Sequence, residues 1–282
     1  MNKLKLVLQQ YRSIEAHIMY AIGVQFSVQV VSTSFFLLLN YYMVGEGYPD
    51  FRIAEVLSFR FLAVFCLAFP VGLYIKGRRL KPFFMIAAVA NPIMATALLW
   101  AIKMHYDPLI NILAMTWGLS YMCIQVTILP FILLNGRKEI HSEAFSLSFL
   151  TFSGTIAVIG LGNYILHWLN PSLFSVENVL RAVALLSLFG LYFVGKINIQ
   201  ENLSYKVPFN EVLEKYDWKT IIQAVIPTLI ISIGAGFTIP VINLFFLNVH
   251  GVESGTFSLL GSTTYFLVVC VILLMPSIKR KF

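Results

Sequence analysis

Eight long runs of apolar residues alternate with short polar segments along this chain. Each run holds the roughly 20 apolar residues that a helix needs to cross a bilayer core about 30 Å thick. Because backbone groups find no water partner in lipid, each run is predicted to be helical, and the alternating ten-residue strands of a membrane barrel do not occur. The runs are residues 17–43, 54–75, 82–104, 108–134, 146–168, 178–197, 219–248 and 255–278. The pattern predicts an all-α, polytopic membrane protein with about eight transmembrane helices.

Composition supports lipid as the medium around most of the chain. Hydrophobic residues make up 59% of the sequence and charged residues only 12%, whereas a soluble domain carries about 25% charged residues. The first run is too long for the apolar core of a signal peptide and has no cleavage site, so we interpret it as a retained span. Membrane lipids are therefore the expected surroundings.

The basic residues predict how the bundle is oriented. Sixteen of the 20 Lys and Arg residues fall in segments that share one side if the N terminus is cytoplasmic, which is the side that basic residues favour. The densest cluster is the short turn "PVGLYIKGRRLKPFF", residues 70–84. We expect an integral, multi-pass protein of the cell (inner) membrane. The net charge of +7 does not indicate a nucleic-acid partner, because these residues lie in short gaps between apolar runs.

The spacing of the runs divides the chain into three parts. Residues 1–197 form an N-terminal half of six helices, 198–218 a cytoplasmic connector, and 219–282 the first two helices of a second half. Within the connector, "PFNEVLEKYDW" places Pro208 at a plausible helix start and spaces its apolar residues for a short amphipathic helix.

Six spans, a connector and further spans resemble the major facilitator superfamily of secondary transporters. That family carries a Gly, an Asp and a Gly-Arg-Arg or Gly-Arg-Lys group on the turn between spans two and three. Gly72 and Gly77-Arg78-Arg79 occupy matching places, although Lys76 stands at the Asp position and the turn is shorter. The resemblance implies that these four residues form a cytoplasmic gating motif. It also implies alternating-access transport of a small-molecule solute, with or without a coupling ion.

The two predicted halves echo each other. "GVQFSVQVVSTSFFLLLNYY" in span one and "GAGFTIPVINLFFLNVHG" in span seven share a Gly-x-x-Phe opening and a Phe-Phe-Leu run. The closing "SIKRKF" stands where the second half would repeat the basic turn. Since the family has twelve spans, the chain is expected to be a fragment with an incomplete C-terminal half.

In this family, spans one, four and seven line the central path, and each carries a polar stripe here. The spacings of three and four put each stripe on one helix face, and together they predict a hydrated, neutral cavity that binds the solute. The candidates are Gln25, Gln29 and Ser32 in span one, Thr116 and Ser120 in span four, and Thr228, Ser232 and Asn243 in span seven. The alternative for each hydroxyl is a bond back to its own helix or a close helix contact. Gln125 lies off the main stripe and is expected at a helix contact.

Arg60 is the single residue that most strongly indicates a binding site, because a cation within a membrane span is energetically costly. It is predicted to anchor an anionic group of the solute. The alternative is that Arg60 extends toward the outer surface or pairs with Glu55 or Asp50. Arg181 is interpreted as an ordinary helix pair with Glu177, four residues earlier.

Nothing in the sequence points to catalysis, and we expect no catalytic residue, cofactor or metal. The segment "GRKEIHSE", residues 136–143, gathers Glu139, His141 and Glu143 but is interpreted as a polar cytoplasmic turn. The three cysteines fall in apolar runs and are interpreted as small apolar filler. Span five lacks the Gly-Pro of proton-driven drug exporters, and its Gly154, Gly160 and Gly162 are expected at close contacts or hinges. An intramembrane enzyme and a non-transporting scaffold or receptor remain the alternatives.

Overall fold

The computed structural model of the protein describes residues 11–201, 203 and 217–279. The described residues contain ten α-helices and no strand, and 85% of the structure is helical. The helices are α1 Ala16–Gly45, α2 Asp50–Tyr74, α3 Lys81–Lys103, α4 Asp107–Asn135, α5 His141–Leu169, α6 Val176–Ser187, α7 Gly190–Lys196, α8 Trp218–Thr238, α9 Ile242–His250 and α10 Ser254–Lys279. The predicted amphipathic helix of the connector lies outside the described residues.

The prediction of eight membrane-spanning segments is confirmed. Within the described residues, eight helical segments are long and apolar enough to cross a membrane. Two of the predicted runs are not continuous, however. The sixth is divided into α6 and α7 at residues 188–189, and the seventh into α8 and α9 by a 3₁₀ turn, Ile239–Val241. Pro240 lies in that turn, and proline has no N–H to continue the ladder of helical hydrogen bonds.

Polar contacts between helix ends show that successive spans run in opposite directions. At one end, Arg52 pairs with Asp107, joining the starts of α2 and α4. At the other, Arg137 after α4 pairs with Glu15 before α1, 2.7 Å apart. We call the end that holds Glu15 and the turn 75–80 the inner end, and the opposite one the outer end. Which membrane face each end meets stays a prediction.

The basic turn between α2 and α3 is tight, as expected. Gly77 has φ +68°, a left-handed backbone conformation that only glycine adopts without strain. Arg78 packs over the Tyr74 ring, with its guanidinium carbon 4.0 Å from the ring centroid. Arg79 is exposed, and Gly72 lies in the last turn of α2, facing α4. The predicted gating role of this motif stays a prediction.

Glu201 joins this turn to the segment that follows α7, a contact that no sequence motif predicts. Its carboxylate oxygens accept hydrogen bonds from the backbone N–H groups of Leu80 and Lys81, at 2.5 and 2.9 Å. Both donors belong to the first turn of α3, where N–H groups lack helical partners and favour negative charge. Lys81 Nζ in turn donates to the Ile197 carbonyl, 2.6 Å away.

The bundle is organised around α1. This helix packs against α3, α4, α5, α6 and α7, and 78% of its most apolar stretch is buried. Ser and Thr side chains on α1 bond back to its own carbonyls, as Thr33 does to Gln29 O at 2.8 Å. The outward faces of the other helices expose large apolar side chains, such as Phe65 and Phe237, which suits a lipid surface.

Small residues allow two pairs of helices to approach closely. A Cβ on Gly118 of α4 would lie 2.5 Å from the backbone oxygen of Arg60 on α2. A Cβ on Gly160 of α5 would overlap the backbone oxygen of Ser258 on α10. The close contact expected of Gly160 is therefore confirmed, whereas Gly162 has nothing within 4 Å and Gly154 only Leu150.

Hydrogen bonds reinforce the contact between α5 and α10. Asn163 Nδ2 donates to Ser258 Oγ at 3.1 Å, and Ser262 Oγ donates to the Ala157 carbonyl at 2.5 Å. Small residues joined by hydrogen bonds are the usual means by which helices associate in lipid. The contact therefore fixes α10 against the first six spans.

Candidate binding cavity

A cavity of about 620 Å³ lies among α1, α4, α5 and α10. Its lining residues belong to the inner halves of α4, α5 and α10 and to the middle of α1. They are Gln25, Gln29, Tyr121, Gln125, Ile128, Leu129, Ser146, Ser148, Phe149, Phe152, Ser153 and Ile272. Binding cavities for small molecules are generally 300–1,000 Å³, apolar over most of their walls and polar at a few places, and this cavity has that character.

Two amides on one face of α1 form the polar wall of the cavity. Gln25 Oε1 accepts a hydrogen bond from Ser148 Oγ at 2.8 Å. Gln29 Oε1 accepts one from the Tyr121 hydroxyl at 3.1 Å. Both glutamines are nearly fully buried, and their Nε2 groups have no hydrogen-bond partner among the described residues. This wall therefore presents two amide N–H donors to the cavity.

Tyr121 connects the α1 amides to α4. Its hydroxyl donates to Gln29 and accepts from Gln125 Nε2, 2.8 Å away. Gln125 lines the cavity, so the expectation that it lies at a helix contact is wrong. Gln125 and Tyr121 are four residues apart and share a helix face, which points between α1 and α5.

Arg60 lies against Tyr121 and deeper in the membrane than the hydropathy pattern suggests. Because α2 begins at Asp50, Arg60 lies about 15 Å along the helix from its outer end, at 1.5 Å per residue. The side chain is 8% exposed. Its guanidinium carbon lies 3.8 Å from the Trp117 ring centroid and 5.6 Å from that of Tyr121. Cation–π contacts of this kind stabilise a desolvated cation by about 2 kcal/mol.

The alternative interpretation of Arg60, that it reaches the outer surface or pairs with a nearby carboxylate, is wrong. Glu55 accepts a hydrogen bond from Arg52 at 2.7 Å. Asp50 accepts one from Asn248 Nδ2 at 2.5 Å. Among the described residues, no carboxylate forms an ion pair with the Arg60 guanidinium.

The remaining polar residues of spans one and four face other helices. Ser120 Oγ donates to the Trp117 carbonyl at 2.7 Å and lies 3.4 Å from Asn91 Nδ2 of α3. Thr116 bonds back to Ile112 O at 3.0 Å. The alternative of back-bonding or helix contact holds for these two hydroxyls. Ser32 is buried on the face of Gln29, and its hydroxyl has no partner among the described residues.

Span seven does not bring its hydroxyls to the cavity. Thr228 and Ser232 lie on α8, in which no residue is buried. Thr228 Oγ1 bonds back to Ala224 O at 3.1 Å. Both residues are exposed, because α8 has no extensive contact with the cavity-lining helices.

Asn243 on α9 is buried but lies at the outer end. Its Oδ1 accepts from Asn40 Nδ2 of α1 at 2.5 Å, and the same Nδ2 reaches the Pro240 carbonyl at 2.9 Å. The break in span seven therefore releases a carbonyl that α1 satisfies. Asn243 joins spans one and seven instead of lining the cavity.

The segment 136–143 is only partly the polar turn that was expected. Glu139 is exposed in a 3₁₀ turn, but Glu143 lies in the first turn of α5 and is only 1% exposed. Among the described residues, no group of three His, Cys, Asp or Glu side chains lies close enough to hold a metal ion.

Sequence reasoning missed the contribution of span five. Ser146, Ser148 and Ser153 line the cavity, although only the glycines of this span were considered. The run "SEAFSLSFLTFSGT", residues 142–155, is rich in hydroxyls, and this density was the available signal.

Comparison with known proteins identifies no relative, since no family model, no curated protein and no solved structure matches the chain. The resemblance to the major facilitator superfamily therefore stays a prediction.

Proposed function

We propose that this protein is a secondary transporter that moves a small solute across the membrane by alternating access. The observation that carries the proposal is the 620 Å³ cavity with its polar wall, placed among helices that span the membrane. Polar groups are costly inside a bilayer and generally face a cavity or a transport path when they occur there. The amides of Gln25 and Gln29 fit that role.

An asymmetry between the two ends of the bundle supports the proposal. At the outer end, spans one and seven touch through Asn40 and Asn243, and the Tyr41 hydroxyl reaches the Val252 carbonyl at 3.1 Å. At the inner end, α8 has no buried residue, and the cavity lies in this half of the bundle. These features fit one of two facings, with the outer end closed.

The resemblance to the major facilitator superfamily supplies the second argument. In that superfamily two halves rock about a site near the membrane midplane. The contact of α1 with α9 would open at the outer end while α8 closes at the inner end. A gradient of the solute or of a coupled ion must drive net movement, since binding alone shifts only the populations of the two facings.

Thiol labelling from each side of the membrane tests this proposal without knowledge of the solute. In a variant that lacks Cys66, Cys123 and Cys270, a single reporter thiol is introduced as Gln125→Cys, and membrane-impermeant maleimide is added to vesicles of either orientation. We expect the reporter to react from both sides. The matched control is Phe237→Cys on α8, a lipid-facing position that is 81% exposed and is expected to react slowly from either side.

A cross-link across the outer contact sharpens this experiment. Asn40→Cys and Asn243→Cys, joined by a short reducible thiosulfonate cross-linker, should abolish labelling of position 125 from the outer side. Labelling from the inner side should persist, and reduction should restore both. Reaction of position 125 from one side only, with or without the cross-link, would exclude alternating access and favour a scaffold or an intramembrane enzyme.

A further inference from the structure

The charge of Arg60 is not neutralised by any carboxylate among the described residues. Arg52 contacts both Glu55 and Asp107, and Glu177 pairs with Lys103 and Arg181 at the outer end. Three aromatic rings of the described residues surround the Arg60 guanidinium carbon, at 3.8 Å for Trp117, 5.3 Å for Phe61 and 5.6 Å for Tyr121. A guanidinium keeps its charge in proteins, and a buried unpaired cation carries a desolvation cost that a counter-anion would offset.

The cavity wall next to Arg60 offers donors rather than acceptors. Tyr121 belongs to both environments, because its ring borders the guanidinium and its hydroxyl lines the cavity. The oxygens of Gln25 and Gln29 are already occupied by Ser148 and Tyr121. Their amide N–H groups remain to donate, and none of the described residues that line the cavity is Asp, Glu, Lys, Arg or His. These donors, with the Arg60 cation behind the Tyr121 ring, match a group with several acceptor oxygens.

The opposite wall is apolar. Phe149, Phe152, Leu129, Ile128 and Ile272 form it, and the cavity volume accommodates a small organic molecule and not only an inorganic ion. The cavity therefore combines a neutral wall of hydrogen-bond donors, with the buried Arg60 cation behind it, and a hydrophobic surface.

We infer that the solute is a small organic anion with one negative charge, whose charged group accepts hydrogen bonds from the Gln25 and Gln29 amides. The Arg60 cation behind Tyr121 favours that charge, and the apolar body of the solute packs on the phenylalanine wall. This inference rests on the proposed transport function and specifies its substrate class. Carboxylate and sulfonate oxygens accept several hydrogen bonds at once, and the buried charge of Arg60 favours an anion over a neutral solute.

Binding measurements on the purified protein in detergent micelles test the inference separately from transport. The probes are benzoate, benzenesulfonate and hexanoate, each compared with its uncharged amide. Calorimetry gives the affinity, and the fluorescence of Trp117 beside Arg60 gives a local signal, with Trp117→Phe identifying its contribution. We expect the anions to bind about thirtyfold or more tightly than their amides, as is usual when a buried charge gains its partner.

Variants at Arg60 identify the group responsible. Arg60→Gln should abolish the preference for the anion, while the matched change Arg181→Gln, at an outer ion pair, should leave it intact. Arg60→Lys keeps the charge and should retain the preference for the anion, with an affinity at most about tenfold weaker. If gel filtration shows that Arg60→Gln does not fold, the affinities of Arg60→Lys test the role of Arg60 in its place.

Four results would overturn the inference: no anion binds, the amides bind as tightly as the anions, Arg60→Gln keeps the preference for the anion, or Arg60→Lys loses the preference that Arg181→Gln keeps. In each case position 125 could still react from both sides of the membrane, and transport of an uncharged solute would remain. Conversely, anion binding together with labelling of position 125 from one side only would exclude the proposed transport function and support the anion site.

Discussion

The contact between Gly118 and Arg60 permits a quantitative prediction about how the site is held. A methyl group added by Gly118→Ala would lie 2.5 Å from the Arg60 backbone oxygen and 3.1 Å from its Cγ. The first atom belongs to the backbone of α2, so it cannot move unless the two helices separate. Introducing one methyl into a packed contact costs about 1–3 kcal/mol, and separation would also weaken the cation–π contact of Arg60, itself about 2 kcal/mol when desolvated.

Helix propensity opposes this cost only weakly. Replacing glycine with alanine in a helix stabilises by about 0.5–1 kcal/mol, so Gly118→Ala should destabilise the protein by about 1–2 kcal/mol net. Thermal unfolding in detergent, followed by intrinsic fluorescence, measures this as a decrease in Tm.

The matched control is Gly162→Ala on α5, where an added Cβ meets nothing within 4 Å. It carries the same gain in propensity without the clash, so its Tm should equal or exceed that of the wild type. Equal Tm values for the two variants would refute the close approach of α2 and α4 at Arg60.

Three further predictions concern the contacts that hold the bundle together. Gly160→Val should lower Tm more than Gly162→Val does, because its side chain would meet the Ser258 backbone at a cost of about 1–3 kcal/mol. Glu201→Gln should lower the free energy of unfolding by about 0.5–2 kcal/mol, the usual effect of losing a helix cap. Chemical unfolding measures this free energy, and an unchanged value would show that the carboxylate does not cap α3. Burial alone would raise the pKa of Glu15, but hydrogen bonds from Arg137 outweigh it and hold that pKa below its ordinary value of 4.5. The stabilisation that the ionised Glu15 contributes is therefore present above pH 4.5 and is lost as the pH falls through the lowered pKa of the folded state. The difference in Tm between wild type and Glu15→Gln should consequently decrease on acidification. A difference that is constant with pH would contradict the pairing of Glu15 with Arg137.

The sequence predicted the membrane spans because hydropathy over 20 residues depends only on composition and length. It could not predict where span seven breaks. Other prolines, such as Pro92 and Pro130, remain inside continuous helices, so Pro240 is distinguished by its environment, in which Asn40 satisfies the released carbonyl.

The candidate site was predictable where a long side chain had few alternatives. Gln25 and Gln29 were found because amides on one helix face require partners that lipid lacks. Thr228 and Ser232 show the same spacing but bond locally or face outward, because a short hydroxyl can be satisfied by its own helix. Whether a stripe faces a cavity or lipid depends on which helices pack together, and hydropathy does not record it.

The surroundings of Arg60 were equally beyond sequence reasoning. Glu55 lies only five residues away in the chain, yet Arg52 takes it as a partner. Trp117 and Tyr121 come from α4, and the glycine that admits Arg60 beside them lies in the same helix. Only the tertiary structure shows that the cation meets aromatic rings.

The distance between the outer ends of α1 and α9 tests the central claim of alternating access most directly. Spin labels at Gly45→Cys and Val249→Cys, two exposed positions beside the contact of Asn40 with Asn243, report this distance by double electron–electron resonance in lipid nanodiscs. The proposed mechanism predicts two populations, a short distance for the closed outer end and a longer one for the open state, with the longer one removed by the cross-link between positions 40 and 243. A single short distance under every condition, with or without benzoate, would contradict it.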